Sequence, residues 1–151
     1  MVTYMESHDE ERVIYKALNY GNSNGNYNVK NLNTSLERLK SAGSILFLLP
    51  GPKMIWQFGE VGYDISIDYN GRLGRKPIKW NYLNELNRKN IYNTWSYLIG
   101  LRKKHSIFSD PQSKIDTWLN SSIKKIQYSL GEENAILITN FDVKTLQTSV
   151  S

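Results

Sequence analysis

Apolar positions along this chain recur with two different periods, and the changes of period divide it into segments. Val2-Thr3-Tyr4-Met5 is a β-favouring run that passes directly into Glu6-Ser7-His8-Asp9-Glu10-Glu11-Arg12. It reads as a buried strand ending in a cluster of His and carboxylates. Such a strand needs neighbours on both sides, so this start is expected to be a cut in a longer chain. The stretch 19–28 is rich in Asn and Gly and is a loop by composition, because both residues tolerate left-handed backbone. Thr34-Ser35-Leu36-Glu37 has the form of a capping box and predicts a helix start there. Leu36, Leu39, Gly43, Leu46 and Phe47 follow at three- and four-residue steps and make its buried face, with Gly43 expected to let the helix approach a strand closely. Pro50-Gly51-Pro52 ends it.

Met54-Ile55-Trp56-Gln57-Phe58 is mostly apolar and is expected to be a second, parallel strand, giving one strand–helix–strand crossover unit with Trp56 in its core. Residues 60–80 contain Gly62, Gly71, Gly74 and Pro77 and no clear period, so a long loop is expected there, walling a substrate cleft. A second helix is predicted over 84–104, with Ile91, Trp95, Leu98, Ile99 and Leu101 facing inward. Beyond Ser109-Asp110-Pro111 the period changes to two. Segments 123–129, 135–141 and 145–150 read as strands, the first two joined by a turn at Gly131-Glu132-Glu133-Asn134. They would open a small antiparallel domain, and the C-terminus is expected to be a cut inside it.

Composition narrows the class of protein. Of the 151 residues 40% are hydrophobic and 22% charged, which fits a globular domain and not a disordered tail. There is no Cys, which excludes disulfides and thiolate metal sites and leaves the redox compartment open. The longest apolar run, 45–49, is too short to span a bilayer, and no membrane partner is expected. The net charge of +5 is scattered, with Arg102-Lys103-Lys104 as the tight cluster. That cluster closes a predicted helix, where cations face the negative end of the macrodipole, so no nucleic-acid partner is expected.

Three stretches, in order, resemble the alpha-amylase superfamily, glycoside hydrolase family thirteen. An apolar strand ending in His8-Asp9, with Arg12 following, resembles the end of that family's seventh barrel strand. Residues 50–60, from Pro50 to Gly59-Glu60, resemble the turn into its eighth strand, and Leu98-Ile99-Gly100-Leu101-Arg102 with His105 and Phe108 resembles its last barrel helix. The resemblance implies an α/β fold: the last two strand–helix units of a (β/α)8 TIM barrel over residues 1–110, then the first strands of an antiparallel β-sandwich domain over 111–151. Such a piece exposes strand edges, and self-association through them is an expected consequence.

What the resemblance implies for chemistry is a retaining hydrolase of alpha-glucans such as starch, glycogen and maltooligosaccharides. Asp9 matches the carboxylate that stabilises the positively charged transition state, and His8 a residue that hydrogen-bonds the same sugar. The nucleophile and the general acid of the family lie in earlier stretches that are not in this sequence, so the chain alone is expected to be inactive. Arg12, Glu60, Tyr63, Tyr69 and Trp80 are further candidates for substrate binding, the aromatic ones because aromatic faces stack on sugar rings and because they lie in or beside the long loop. Glu6 is expected to pair with Arg12, and Glu10 and Glu11 to form a solvated or ion-paired edge. Ser7, where many amylases have Asn, makes Ser7-His8-Asp9-Glu10 resemble glucan branching enzymes of the same superfamily, so transfer stays open beside hydrolysis. A noncatalytic glucan-binding module is the other alternative. No metal ligand spacing occurs in the chain and no cofactor is expected in it, although the family resemblance allows calcium in a parent enzyme. The compartment stays open.

Overall fold

Helix packing and one antiparallel sheet organise the computed structural model, which describes residues 1–150. The elements are α1 (Val13–Tyr20), a short hairpin β1 (Ser23–Asn24) and β2 (Tyr27–Asn28), α2 (Leu32–Leu48), α3 (Leu86–Lys104), and strands β3 (Lys114–Trp118), β4 (Ile123–Leu130) and β5 (Glu133–Asn140). The molecule is thus mixed helix and sheet, and the described residues close no barrel.

Helix α2 starts two residues before the capping box. Asn31 is its N-cap, and the Asn31 side chain accepts hydrogen bonds from the backbone N–H groups of Asn33 (3.0 Å) and Thr34 (3.4 Å). An Asn that reaches two free donors makes the Thr34 cap unnecessary. The buried face of α2 is the expected one, Leu36, Leu39, Gly43, Leu46 and Phe47. It packs on α3 rather than on a strand, and Gly43 lies against the Trp95 indole. Ile91, Trp95 and Leu98 supply the α3 side of that contact, and Ile99 and Leu101 flank it. At the far end the Arg102 guanidinium donates to the carbonyls of Phe47 (3.0 Å), Leu49 and Gly51 (3.2 Å). The basic end of α3 therefore holds the carbonyl end of α2, where a cation is favoured.

Neither of the two expected parallel strands forms a ladder. Thr3 and Lys53 make a single parallel bridge, with Thr3 N–H donating to Pro52 O (3.0 Å) and Met54 N–H to Thr3 O (3.0 Å). Two parallel segments with no third neighbour gain few interstrand bonds and lack the cover that parallel sheets require. Helix α1 was not expected from the pattern, which is dominated there by Val13, Ile14 and Tyr15. It docks on α2 with Ile14 buried in the main core.

The C-terminal sheet has the order β3-β4-β5, all antiparallel. Its hairpin turn is the pair Gly131-Glu132, shorter than the four-residue turn expected, because Gly131 takes φ 60° and lets the chain reverse at once. Residues 145–150 form no strand. The Asn140 side chain accepts from Asp142 N–H, and the Asp142 carboxylate accepts from Val143 and Lys144 N–H, so a side-chain-stabilised turn leads the backbone off the sheet. Ile126 and Tyr128 of β4 enter the same core as the helices, with Phe108 edge-on to Tyr128 at 5.1 Å. Burial pushes the Tyr128 phenol up to about 12. Arg38 of α2 ties the end of the sheet down by donating to Phe141 O (2.7 Å) and Asp142 O (3.0 Å).

Candidate functional site

The segment that leaves the Thr3–Lys53 bridge turns sharply before α1, and its side chains fix that turn. Glu6 is buried, and its Oε2 accepts from Val13 N–H (2.9 Å), capping the start of α1 instead of pairing with Arg12 as expected. Burial raises the Glu6 carboxyl above its ordinary value, with Glu60 and Glu11 adding to the effect and the Val13 N–H and Arg12 opposing it. Ser7 Oγ donates to Glu10 and accepts from Asp9 N–H (3.1 Å). Glu11 reaches across to the long loop, accepting from Ser66 Oγ (2.7 Å) and Ile67 N–H (2.9 Å). Of the expected solvated or ion-paired edge, Glu10 is exposed, whereas Glu11 is a clamp that holds the first turn to residues 66–67.

His8 and Asp9 stand at the top of this turn. The His8 Nε2 and Asp9 Oδ2 atoms are 3.2 Å apart, and the two side chains are 72% and 68% exposed. Arg12 lies beneath them, 2% exposed. Its guanidinium donates to Ser7 O (3.1 Å) and is flanked by the rings of Tyr63 at 5.4 Å and Trp56 at 6.0 Å. Trp56 is only half-buried and faces His8, ring centroids 5.8 Å apart, so it belongs to the site wall and not to the core position expected. Together His8, Asp9, Arg12 and Trp56 line one side of an open cleft of about 480 Å³.

The opposite wall is the long loop, where Arg72, Arg75 and Lys76 stand among Leu73, Gly74 and Ile78. Arg72 donates to the Asp9 carbonyl at 2.5 Å. The Lys76 ammonium sits in a ring of backbone carbonyls, those of Tyr69 (3.0 Å), Gly71 (2.7 Å), Gly74 (2.9 Å) and Arg72 (3.3 Å), and so fixes the turn that carries both arginines. This cluster corrects the expectation that the positive charge is scattered. Three cations within five residues, interrupted by Leu73 and Gly74, are visible at 72–76 and mark the wall.

The remaining candidates separate from this cleft. Tyr63 is 1% exposed, with its ring against Phe58 (5.7 Å) and its hydroxyl donating to Pro77 O (2.5 Å), so it packs the loop and presents no face to a sugar. Glu60 and Trp80 line a second cleft of about 470 Å³ with Phe58, Lys79 and Tyr92. Tyr69 is 52% exposed and lines neither cleft. Between the clefts the loop is anchored to α3 by buried Arg88. It donates to Asp64 (2.8 Å), Glu85 (2.8 Å) and the carbonyls of Val61 (3.2 Å) and Gly62, and it stacks on Tyr82 at 3.7 Å. The Tyr82 hydroxyl donates to Asp64 (2.5 Å), and burial with that bond raises its phenol well above the ordinary value.

Chemically, the first cleft offers one free carboxylate, one imidazole beside it, a half-buried indole and a cationic wall. Asp9 is the sole carboxylate among the described residues of its lining. No group of three or more His, Asp or Glu is assembled among the described residues in a way that would hold a metal ion, and no described helix is long and apolar enough to cross a membrane. No protein-family model matches this chain, and no curated protein matches it.

Proposed function

We propose that this chain is the C-terminal part of an alpha-amylase-like barrel and the start of its β domain, and that it supplies Asp9 and His8 to a retaining enzyme acting on alpha-glucans. The observation that carries the reading is the His8–Asp9 pair, exposed at the mouth of a cleft beside Trp56, at the end of a segment that runs parallel to the stretch before residues 54–58. A parallel pair joined through a helix is the repeat from which (β/α)8 barrels are built. A carboxylate fixed there lowers the energy of a sugar ring that becomes positively charged, because the anion is already in place when the charge develops.

Retaining cleavage needs a nucleophile and an acid about 5–5.5 Å apart. Asp9 has no such carboxylate partner in its cleft, so cleavage is assigned to residues outside this sequence and the chain by itself is inactive. Water or a sugar hydroxyl attacks the covalent intermediate with the same residues in place, and Ser7 keeps the branching alternative beside hydrolysis. The experiment is kinetic. In the gene product containing this chain, Asp9→Asn should lower kcat on maltooligosaccharides by about 10²–10³-fold, with KM changed far less. Full activity in that variant discards the proposal, and the linkage of the products separates hydrolysis from transfer.

One observation favours a second reading, a glucan-binding module without catalysis. Trp80 is 67% exposed at the second cleft, edge-on to Phe58 at 4.8 Å, and so offers an open ring face. Loss of starch retention on Trp80→Ala, with no effect of Asp9→Asn, would select it.

A further inference from the structure

The charge on the first cleft is more specific than a neutral glucan requires. Arg12, Arg72, Arg75 and Lys76 line it together with one carboxylate, Asp9, which gives the lining a formal net charge of +3 with His8 counted as neutral. The four cations are not equivalent. Lys76 has spent its donors on loop carbonyls, and Arg12 is buried with its Nε unpartnered. Arg72 commits one terminal nitrogen to the Asp9 carbonyl, and Arg75 makes no hydrogen bond or ion pair among the described residues. The Arg75 guanidinium, and the donors of Arg72 not used on the Asp9 carbonyl, therefore stand open on a turn that Lys76 stiffens, in the same cleft as His8 and Trp56.

We infer that the ligand of this cleft is a phosphorylated sugar, with its ring against Trp56 and His8 and its phosphoryl group on Arg72 and Arg75. The inference rests on the alpha-glucan reading and narrows its substrate class. Guanidinium forks match phosphate oxygens two at a time. A phosphomonoester carries about −1.5 to −2 charges at neutral pH and balances this lining better than a single carboxylate would. The charge also bears on Asp9. Left unbalanced, the cationic wall opposes the positive transition state that Asp9 favours, and a phosphoryl group bound between the arginines removes that opposition.

The test is calorimetric titration of the gene product containing this chain with maltotriose, maltotriose carrying a phosphomonoester, glucose 6-phosphate and inorganic phosphate. The phosphorylated trisaccharide should bind at least about tenfold more tightly than maltotriose, with the advantage shrinking as added salt screens it. Arg75→Gln, an exposed change without intramolecular bonds to lose, should abolish the advantage and leave maltotriose binding as it was. Glucose 6-phosphate as tight as the phosphorylated trisaccharide identifies a free sugar phosphate as the ligand, and weaker binding identifies a phosphorylated chain. Equal binding of maltotriose and its phosphate overturns the inference and leaves the glucan reading standing. Inorganic phosphate as tight as either phosphorylated sugar overturns it as well, and failure of every sugar to bind removes both.

Discussion

Gly43 and Trp95 meet where α2 crosses α3: a Cβ placed on Gly43 would lie 2.1 Å from the indole Nε1. The crossing is close because one helix has no side chain there and the other fills the space with a large ring. Gly43→Ala should therefore cost about 1–3 kcal/mol through overpacking, although Ala is the better helix former. Urea unfolding measures it, and Trp95→Leu in the same chain should recover part of the loss.

Arg88 holds residues 61–64 against α3 with one ion pair, to Asp64, and two carbonyl bonds, while a second ion pair to Glu85 steadies it at the start of α3, its own side chain almost fully buried. Removing it leaves the Asp64 carboxylate with the Tyr82 hydroxyl but no cation, and leaves two carbonyls without a donor. Arg88→Ala should destabilise the chain by about 3–5 kcal/mol. Hydrogen exchange should show residues 60–83 losing protection before the α2–α3 core does.

Glu6 makes stability depend on pH in a direction opposite to that of a salt-bridged acid. Burial raises its carboxyl above the unfolded value. Between those two values the native chain keeps a proton that the unfolded chain has released, so stability is full below the unfolded value and falls as pH rises through the folded one. Glu6→Gln should remove that fall. Urea midpoints collected from about pH 4 to about pH 8 would show a declining curve for the parent and a flatter one for the variant.

Glu11 joins the turn of His8 and Asp9 to the loop that carries Arg72 and Arg75. Glu11→Ala leaves the Ser66 hydroxyl and the Ile67 N–H without their acceptor, at a cost of about 1–3 kcal/mol. The two walls of the cleft would then be held together less firmly, with the Arg72 bond to the Asp9 carbonyl still spanning them, and ligand affinity should fall although Glu11 is not in the lining. Retained affinity with lowered stability would show that the clamp serves the fold alone.

Much of this arrangement was legible, and the failures have physical causes. Helices α2 and α3 carry their apolar residues at helical spacing over many turns, and β4 and β5 flank a Gly turn, so local pattern and final structure agree. Helix α1 was hidden because Val13-Ile14-Tyr15 favours a strand on its own. Glu6 caps the first turn, and packing on α2 buries Ile14. β3 was missed because only Ile115 of its five residues is partly buried, so burial left little alternation to read. The expected strands near Thr3 and at 54–58 failed for the opposite reason: their composition suits a parallel sheet, but each finds at most one partner. In the site, His8, Asp9 and Arg12 come together because they are close in sequence, whereas only residue type and loop position point to Tyr63 and Trp80. Neither type nor position reports that one ring is covered and the other faces a different cleft. Trp56 shows the same limit from the other side.

The carbonyl ring around Lys76 is the coordination by which proteins hold hard cations, with the ion delivered here on a covalent stem. A tethered ion does not dissociate on dilution, and no chelator withdraws it. Only chemistry on the nitrogen itself empties the ring: acetylation erases the charge, releases the turn, and takes the placement of Arg72 and Arg75 with it.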